Sequence, residues 1–289
     1  MESNIARSLK LAHHPVALIW ADEKPATALQ FKKESWGCVM WMYARAAKGK
    51  TVAFDRETYG CVGGGVGLGF GNTYDLFPGS LECFYNFLSV GNEHHALGRK
   101  LAPAVKNFAG ADFGKTFLRG ERFMKSPDHV RKFLELLPMV DIPNRYVIFK
   151  PLSAVGEGEK PVVVSFVVNP HQLSALTTLY YYEADTLENV IIAKGAACQQ
   201  IGILAYREAR SAHPRAVVGL TDLFARRSIR QQLGDDIMTF SVPFSRFEMM
   251  EAQVEGSFLQ EETWEALTRH EPPPGERLQG RPPGTGQKP

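Results

Sequence analysis

The 289-residue chain predicts an α+β, or mixed α/β, fold: two similar helix–strand halves around a central sheet. Three observations carry this prediction. β-Branched runs of strand length recur along the chain, helical spacings alternate with them, and in each half a cysteine opens a helix that a strand then follows.

In order, residues 5–13 have helical spacing and meet Pro15, after which 16–20 read as a buried strand. A helix ending near Gly49 contains the run from Cys38 to Ala47, and 51–54 follow as a strand. A glycine-rich stretch, 60–71, precedes a helix over 81–90 with Ser80 as its N-cap. The section 94–143 is largely helical, most clearly at 128–137. Two β-branched runs, 146–152 and 162–168, flank the polar loop Gly156-Glu157-Gly158-Glu159 and read as a hairpin. Asn169 caps a helix with Pro170 in its first turn, running toward Tyr182. A helix over 197–210, strands at 216–220 and 238–242, and a helix opened by Pro243 over 244–253 complete the set.

The expected organisation is a first half, 1–145, a second half, 146–270, and a tail, 271–289. The tail holds six prolines and four glycines with one apolar side chain, Leu278, so it is expected to be disordered. Hydrophobic residues make up 44% and charged ones 22%, and no 18-residue apolar run occurs, which excludes a membrane partner. A net charge of +2 without a dense basic block gives no reason to expect nucleic acid. The start, Met1-Glu2-Ser3-Asn4, lacks the pattern of a secretory signal, so a cytoplasmic, reducing compartment is expected and disulfides are not. Expected partners are a small molecule or an electron-transfer protein, with homo-oligomerisation left open.

The halves share a pattern. Cys38 opens a helix ending Ala44-Arg45-Ala46-Ala47 before the strand at 51; Cys198 opens a helix containing Tyr206-Arg207-Glu208-Ala209-Arg210 before the strand at 216. If they are a duplication, a pseudo-twofold would bring both helix starts to one interface. Trp36-Gly37-Cys38 and Tyr59-Gly60-Cys61 also repeat the order aromatic, glycine, cysteine. Amides at a helix start favour a thiolate, the form that attacks electrophiles and binds metal. Cys38, Cys61 and Cys198 are therefore the expected metal ligands, with Cys83 as a fourth. No Cys-x-x-Cys pair is present, so such a site has to be assembled by the fold. Few carboxylates accompany the soft sulfurs, which suits an iron–sulfur cluster, with zinc the alternative. Burial of each cysteine as a small hydrophobe is the competing reading.

Seven glycines in twelve positions at 60–71 let backbone amides approach negative charge, and Gly63, Gly64 and Gly65 are expected to offer theirs to a cofactor. No Gly-Lys-Ser or Gly-Lys-Thr follows and no register fits Gly-x-Gly-x-x-Gly, which leaves close helix packing as the alternative. Cys61 is the candidate nucleophile of a thiol enzyme, with His94 or His95 as base. Arg226 and Arg227, beside Asp222, are candidates for holding an anionic ligand, against a salt-bridged surface turn. The adjacent pairs His13-His14 and His94-His95 diverge on a helix and do not chelate one ion.

Cys61-Val62-Gly63-Gly64 after the first-half strand, Ala197-Cys198 before a helix and strand, and Asp235-Asp236 leading to Val242-Pro243 resemble the domain of unknown function 169 family, over about residues 5–250. The resemblance implies a soluble protein, common in anaerobic prokaryotes, with no established activity. Family members often carry a further glycine-cysteine turn after the second-half strand. Here that stretch reads Leu220-Thr221-Asp222-Leu223, and Val62 stands where proline is frequent. The reading is thus a soluble cofactor-binding protein holding an iron–sulfur cluster in a redox role, with a thiol enzyme and a binder of small anions as alternatives.

Overall fold

The computed structural model describes residues 1–269; the tail expected at 271–289 lies outside the described residues. Seven strands form one sheet: β1 (Val16–Ala21), β2 (Val52–Phe54), β3 (Tyr146–Pro151), β4 (Val163–Val168), β5 (Val190–Ile191), β6 (Ala216–Gly219) and β7 (Met238–Pro243), in the order β2-β3-β1-β4-β7-β6-β5. All neighbours are antiparallel except β5 and β6. The α+β class holds.

The strands are apolar on both faces because helices cover both. Val16 and Leu18 of β1 enter one core while Ala17 and Ile19 enter the other, and Val163 and Val164 of β4 divide in the same way. One face carries helices Val39–Ala47, Val62–Leu68, Ala197–Ile201, Ile203–Ala209 and Leu223–Leu233, together with a helical block spanning 80–136. The other carries Asn4–Ser8, Pro170–Tyr180, Phe244–Ala252 and Glu262–Thr268. Among the described residues no helix is long and apolar enough to cross a membrane.

Matching β1 to β4, β2 to β6 and β3 to β7 makes the order of the six antiparallel strands palindromic about the β1–β4 seam. Within each set of three the chain runs strand, helix, strand, helix, strand. A twofold axis normal to the sheet and passing through the seam relates the two sets and reverses strand direction, as the antiparallel β1–β4 pair requires. The helical block is inserted in the first set between Val62–Leu68 and β3, and Pro170–Tyr180 with β5 in the second.

The hairpin expected from runs 146–152 and 162–168 does not form. β1 lies between β3 and β4, antiparallel to both, so β3 and β4 run parallel and their connection crosses β1. The reason lies in the runs themselves: a strand buried on both faces is an interior strand and takes a partner on each edge. Local signals mark other ends. Asn169 accepts the Gln172 amide and Gln172 Oε1 accepts the Asn169 amide, the capping box that the sequence anticipates in part, with Pro170 at the first turn. Ser80 is the first residue of Ser80–Leu88 rather than its cap, and Gly79 holds the cap position at φ +81°. The helix expected over 197–210 breaks at Gly202.

That break has a steric cause. A Cβ on Gly202 would stand 1.9 Å from the carbonyl oxygen of Gly67, and one on Gly67 would stand 2.8 Å from Cys198 Sγ. Two helices thus touch backbone to backbone, and the glycine-rich stretch becomes the helix Val62–Leu68 instead of an open loop. Gly202→Ala should lower the unfolding free energy by about 3 kcal/mol, the upper range for overpacking a tight contact. Gly63→Ala, whose Cβ meets nothing nearer than 3.9 Å, should not lower it. Urea denaturation followed by circular dichroism reads both.

Candidate functional site

Four helix starts on one face of the sheet meet at the floor of a cavity of about 1090 Å³. Cys38 is the N-cap of Val39–Ala47, Cys61 the N-cap of Val62–Leu68, Cys198 the second residue of Ala197–Ile201, and Asp222 the N-cap of Leu223–Leu233. All four line the cavity.

Two glycine contacts bring the sulfurs together. A Cβ on Gly60, whose φ is +83°, would stand 2.4 Å from the carbonyl oxygen of Gly37, so the two aromatic-glycine-cysteine turns lie backbone on backbone with Cys38 beside Cys61. The Gly67–Gly202 contact sets Cys198 against the same helix start, where its Sγ donates to the Gly63 carbonyl at 3.3 Å. The Gly64 amide donates to Cys61 Sγ, also at 3.3 Å. Joined through one peptide unit, the Cys61 and Cys198 sulfurs are therefore at most about 9 Å apart.

Asp222 ties the second half into this floor. Its Oδ1 accepts the amides of Phe224 (2.9 Å) and Ala225 (3.1 Å), and its Oδ2 accepts the Ala197 amide (3.2 Å) at the start of the Cys198 helix. Under the pseudo-twofold, Cys198 is the counterpart of Cys38 and Asp222 that of Cys61. The offsets agree, 23 residues from Cys38 to Cys61 and 24 from Cys198 to Asp222. That agreement is visible in the sequence, and it is the signal by which Asp222 can be grouped with the thiols.

Position at a helix start does not make these thiols acidic. Burial pushes Cys38 up to about 12, with Cys61 adding to it. Burial also raises Cys61, although the Gly64 and Gly63 amides oppose it and Asp222 adds to it. Cys198 is pushed well above the usual thiol range by burial, then by Cys61 and Cys38. Loss of hydration outweighs the amide field, so all three are neutral thiols at pH 7. Glu121, in the cavity wall, is raised to about 8, first by burial and then by Asp222. Nothing in the sequence around it distinguishes Glu121 from the chain's other glutamates.

The remaining expected residues lie elsewhere. Cys83 is buried in Ser80–Leu88, outside the cavity lining, with its Sγ 3.5 Å from His95 Nδ1; of the two imidazoles expected near Cys61, that of His95 is thus beside Cys83, and His94 does not line the cavity. Gly63 lines the cavity, the Gly64 amide is taken by Cys61 Sγ, and the Gly65 amide bonds the Cys61 carbonyl within the helix. Arg226 donates to the carbonyls of Leu220, Ile237 and Asp235, holding the turn before β7. Arg227 is exposed, 3.6 Å from Asp112. Neither arginine lines the cavity. All four cysteines are free. Among the described residues, no three His, Cys, Asp or Glu side chains are grouped closely enough to hold a metal ion.

Two outcomes follow for reduced protein treated with a chelator. Iodoacetamide at pH 8 should label Cys38, Cys61 and Cys198 at less than about a tenth of the rate of an exposed thiol, with rates still climbing at pH 10, as mass spectrometry would show. A carboxyl whose folded pKa is raised holds extra protons in the fold, so its contribution to stability falls as pH rises from the ordinary carboxyl range to about 8 and is level above. The stability of Glu121→Gln relative to wild type should therefore increase between pH 5 and 8 and then plateau, measured by urea denaturation at each pH.

The profile of the DUF169 family, described as "Uncharacterised ArCR", matches residues 4–253. No curated protein and no solved structure matches the chain.

Proposed function

The chain belongs to the DUF169 family, and we propose that it is a cofactor-binding protein that holds an iron–sulfur cluster at the cavity floor, on Cys38, Cys61 and Cys198, in a redox role. One observation carries the reading: three thiols from three helix starts, Cys198 buried and Cys38 and Cys61 half-buried, line one cavity with no cationic side chain among them to stabilise a thiolate. Cys38, Cys61 and Cys198 would hold such a group as thiolates, and it would supply the positive charge that the cavity lacks. The upper bound of about 9 Å between the Cys61 and Cys198 sulfurs accommodates a cluster as well as one ion, and it is the soft thiol set that favours iron–sulfur. Thiolates on a single zinc converge to about 4 Å, whereas a four-iron cluster, with one ligand at each corner, sets them roughly 6 Å apart.

Asp222 is the fourth ligand in this reading, a carboxylate where the pseudo-twofold gives the other half a thiol. Its Oδ2 accepts only the Ala197 amide and keeps a lone pair free. The Gly63 and Gly64 amides face Cys61 Sγ, where N–H···S bonds stabilise a charged sulfur. A cluster held this way supplies one-electron chemistry. The chain's part is to fix four ligands on rigid helix starts, keep bulk water from the floor with aromatic walls, and hold a proton on Glu121 within the cavity. Free thiols of this kind persist in a reducing cytoplasm. A thiol enzyme built on Cys61 requires a thiolate and a neighbouring imidazole, whereas burial raises Cys61 and the imidazole stands beside Cys83.

Anaerobic purification or reconstitution should give a brown protein with about four irons and four sulfides per chain. A colourless, iron-free product after reconstitution would reject the reading. Asp222→Asn keeps the helix cap but gives up the bond that Oδ2 accepts from the Ala197 amide, so it should lower the melting temperature slightly as well as lowering iron per chain and altering the electron paramagnetic resonance spectrum; Asp222→Cys should retain four irons. If Asp222→Asn matches wild type in iron and spectrum, Asp222 is only a cap and the three-cysteine reading remains.

A further inference from the structure

The floor takes up a small part of the cavity. A four-iron cluster would fill on the order of a tenth of its 1090 Å³, and the remainder corresponds to the roughly 300–1,000 Å³ of a small-molecule site. The walls above the thiols come largely from the helical block and are aromatic. Trp36 and Phe113 stand 5.6 Å apart between ring centroids and Phe113 and Phe87 5.2 Å, both pairs tilted, so these rings form a continuous, faceted apolar wall that offers faces and edges to an apolar molecule.

The charges define what the cavity takes. Its three lining cations are all at solvent-exposed positions and engaged: Lys33 lies 2.6 Å from Glu57, Arg56 lies 2.8 Å from Asp141, and the Lys194 ammonium bonds the Phe123 carbonyl at 3.4 Å. Among the described residues all three cations sit at the exposed rim, whereas the carboxyl groups of Asp222 and Glu121 lie deeper in the lining, so the interior disfavours an anion. Glu121 is the polar group in the aromatic wall. Its amide bonds the Phe87 carbonyl at 2.7 Å, which fixes it beside the rings, while its carboxyl has no hydrogen-bond partner among the described residues. Half-buried at the cavity surface, this carboxyl is free to meet either water or a polar group of an occupant.

We propose that the cavity binds an apolar, ring-bearing molecule of quinone-like size and shape, packed among Trp36, Phe87 and Phe113 with a polar ring substituent on the side of Glu121. The inference goes beyond the cluster reading and does not need it, since the walls, the rim charges and Glu121 are features of the polypeptide alone.

The test is isothermal titration calorimetry of the full chain with 2-methyl-1,4-naphthoquinone and, separately, with 2-naphthoate, an anion of similar size and flatness. The quinone should bind saturably with Kd on the order of 10 µM, as its atom count allows, and the naphthoate at least tenfold more weakly. Ala104→Trp, a cavity-lining position on an exposed turn of Ala96–Ala109, fills the space with an indole. It should weaken the quinone at least tenfold while leaving the melting temperature unchanged. No saturable binding up to the solubility limit, equal affinity for the naphthoate, or undiminished binding by a folded Ala104→Trp would each overturn the proposal. Running the titration on iron-free and iron-loaded protein separates the two readings. Quinone binding by protein that never takes up iron supports the cavity and rejects the cluster, and the converse result rejects the cavity alone.

Discussion

Backbone contact at two glycine pairs is the constraint on which the site depends. Gly37 against Gly60 places two cysteine-bearing turns side by side within the first half, and Gly67 against Gly202 carries the second half's Cys198 to the same point. Neither contact admits even a methyl group, because the atom in the way is a backbone carbonyl oxygen that no rotamer change can move. Hydrophobic burial across the sheet holds the halves together, but it tolerates shifts of side chains. Backbone contact does not, and it turns general apolar packing into a fixed juxtaposition of the helix starts that carry the sulfurs.

The pseudo-twofold explains why four helix starts meet at the cavity floor and why the side chains they bring there differ. One copy of the strand–helix–strand–helix–strand unit supplies Cys38 and Cys61; the other supplies Cys198 and Asp222. The second residue of each pair caps its helix in the same manner, by accepting amides from the first turn, and so the change from thiol to carboxylate leaves the fold intact. Divergence is concentrated in what each unit inserts. The first carries the helical block that walls the cavity, and the second carries a helix and the parallel edge strand β5 on the opposite side of its own core.

Much of the architecture is legible in the sequence because it rests on local signals. The strands at 16, 51, 146, 162, 216 and 238, the Asn169 cap and the cysteine-led helices all follow from runs of five to ten residues. Pairing is less legible: β1 enters between β3 and β4 from far upstream, and nothing within 146–168 announces it. The convergence of Cys38, Cys61 and Cys198 follows from paired motifs, yet the glycine-rich stretch reads as a ligand loop when its glycines serve helix contact. The distance between Cys83 and the other thiols, the use of Arg226 on turn carbonyls and the isolation of Glu121 depend on how helices orient over a sheet, which residue type and spacing do not encode.

The uneven placement of the helical block has an evolutionary consequence. The sister unit builds its strands and helix starts without any such insert, so the scaffold is complete in its absence and the roof is an accessory hung between one helix and one strand. Lengthening, shortening or resurfacing it would reshape the cavity while the four helix starts beneath keep their places. The volume above the floor is thus set by an insert on which the floor does not depend.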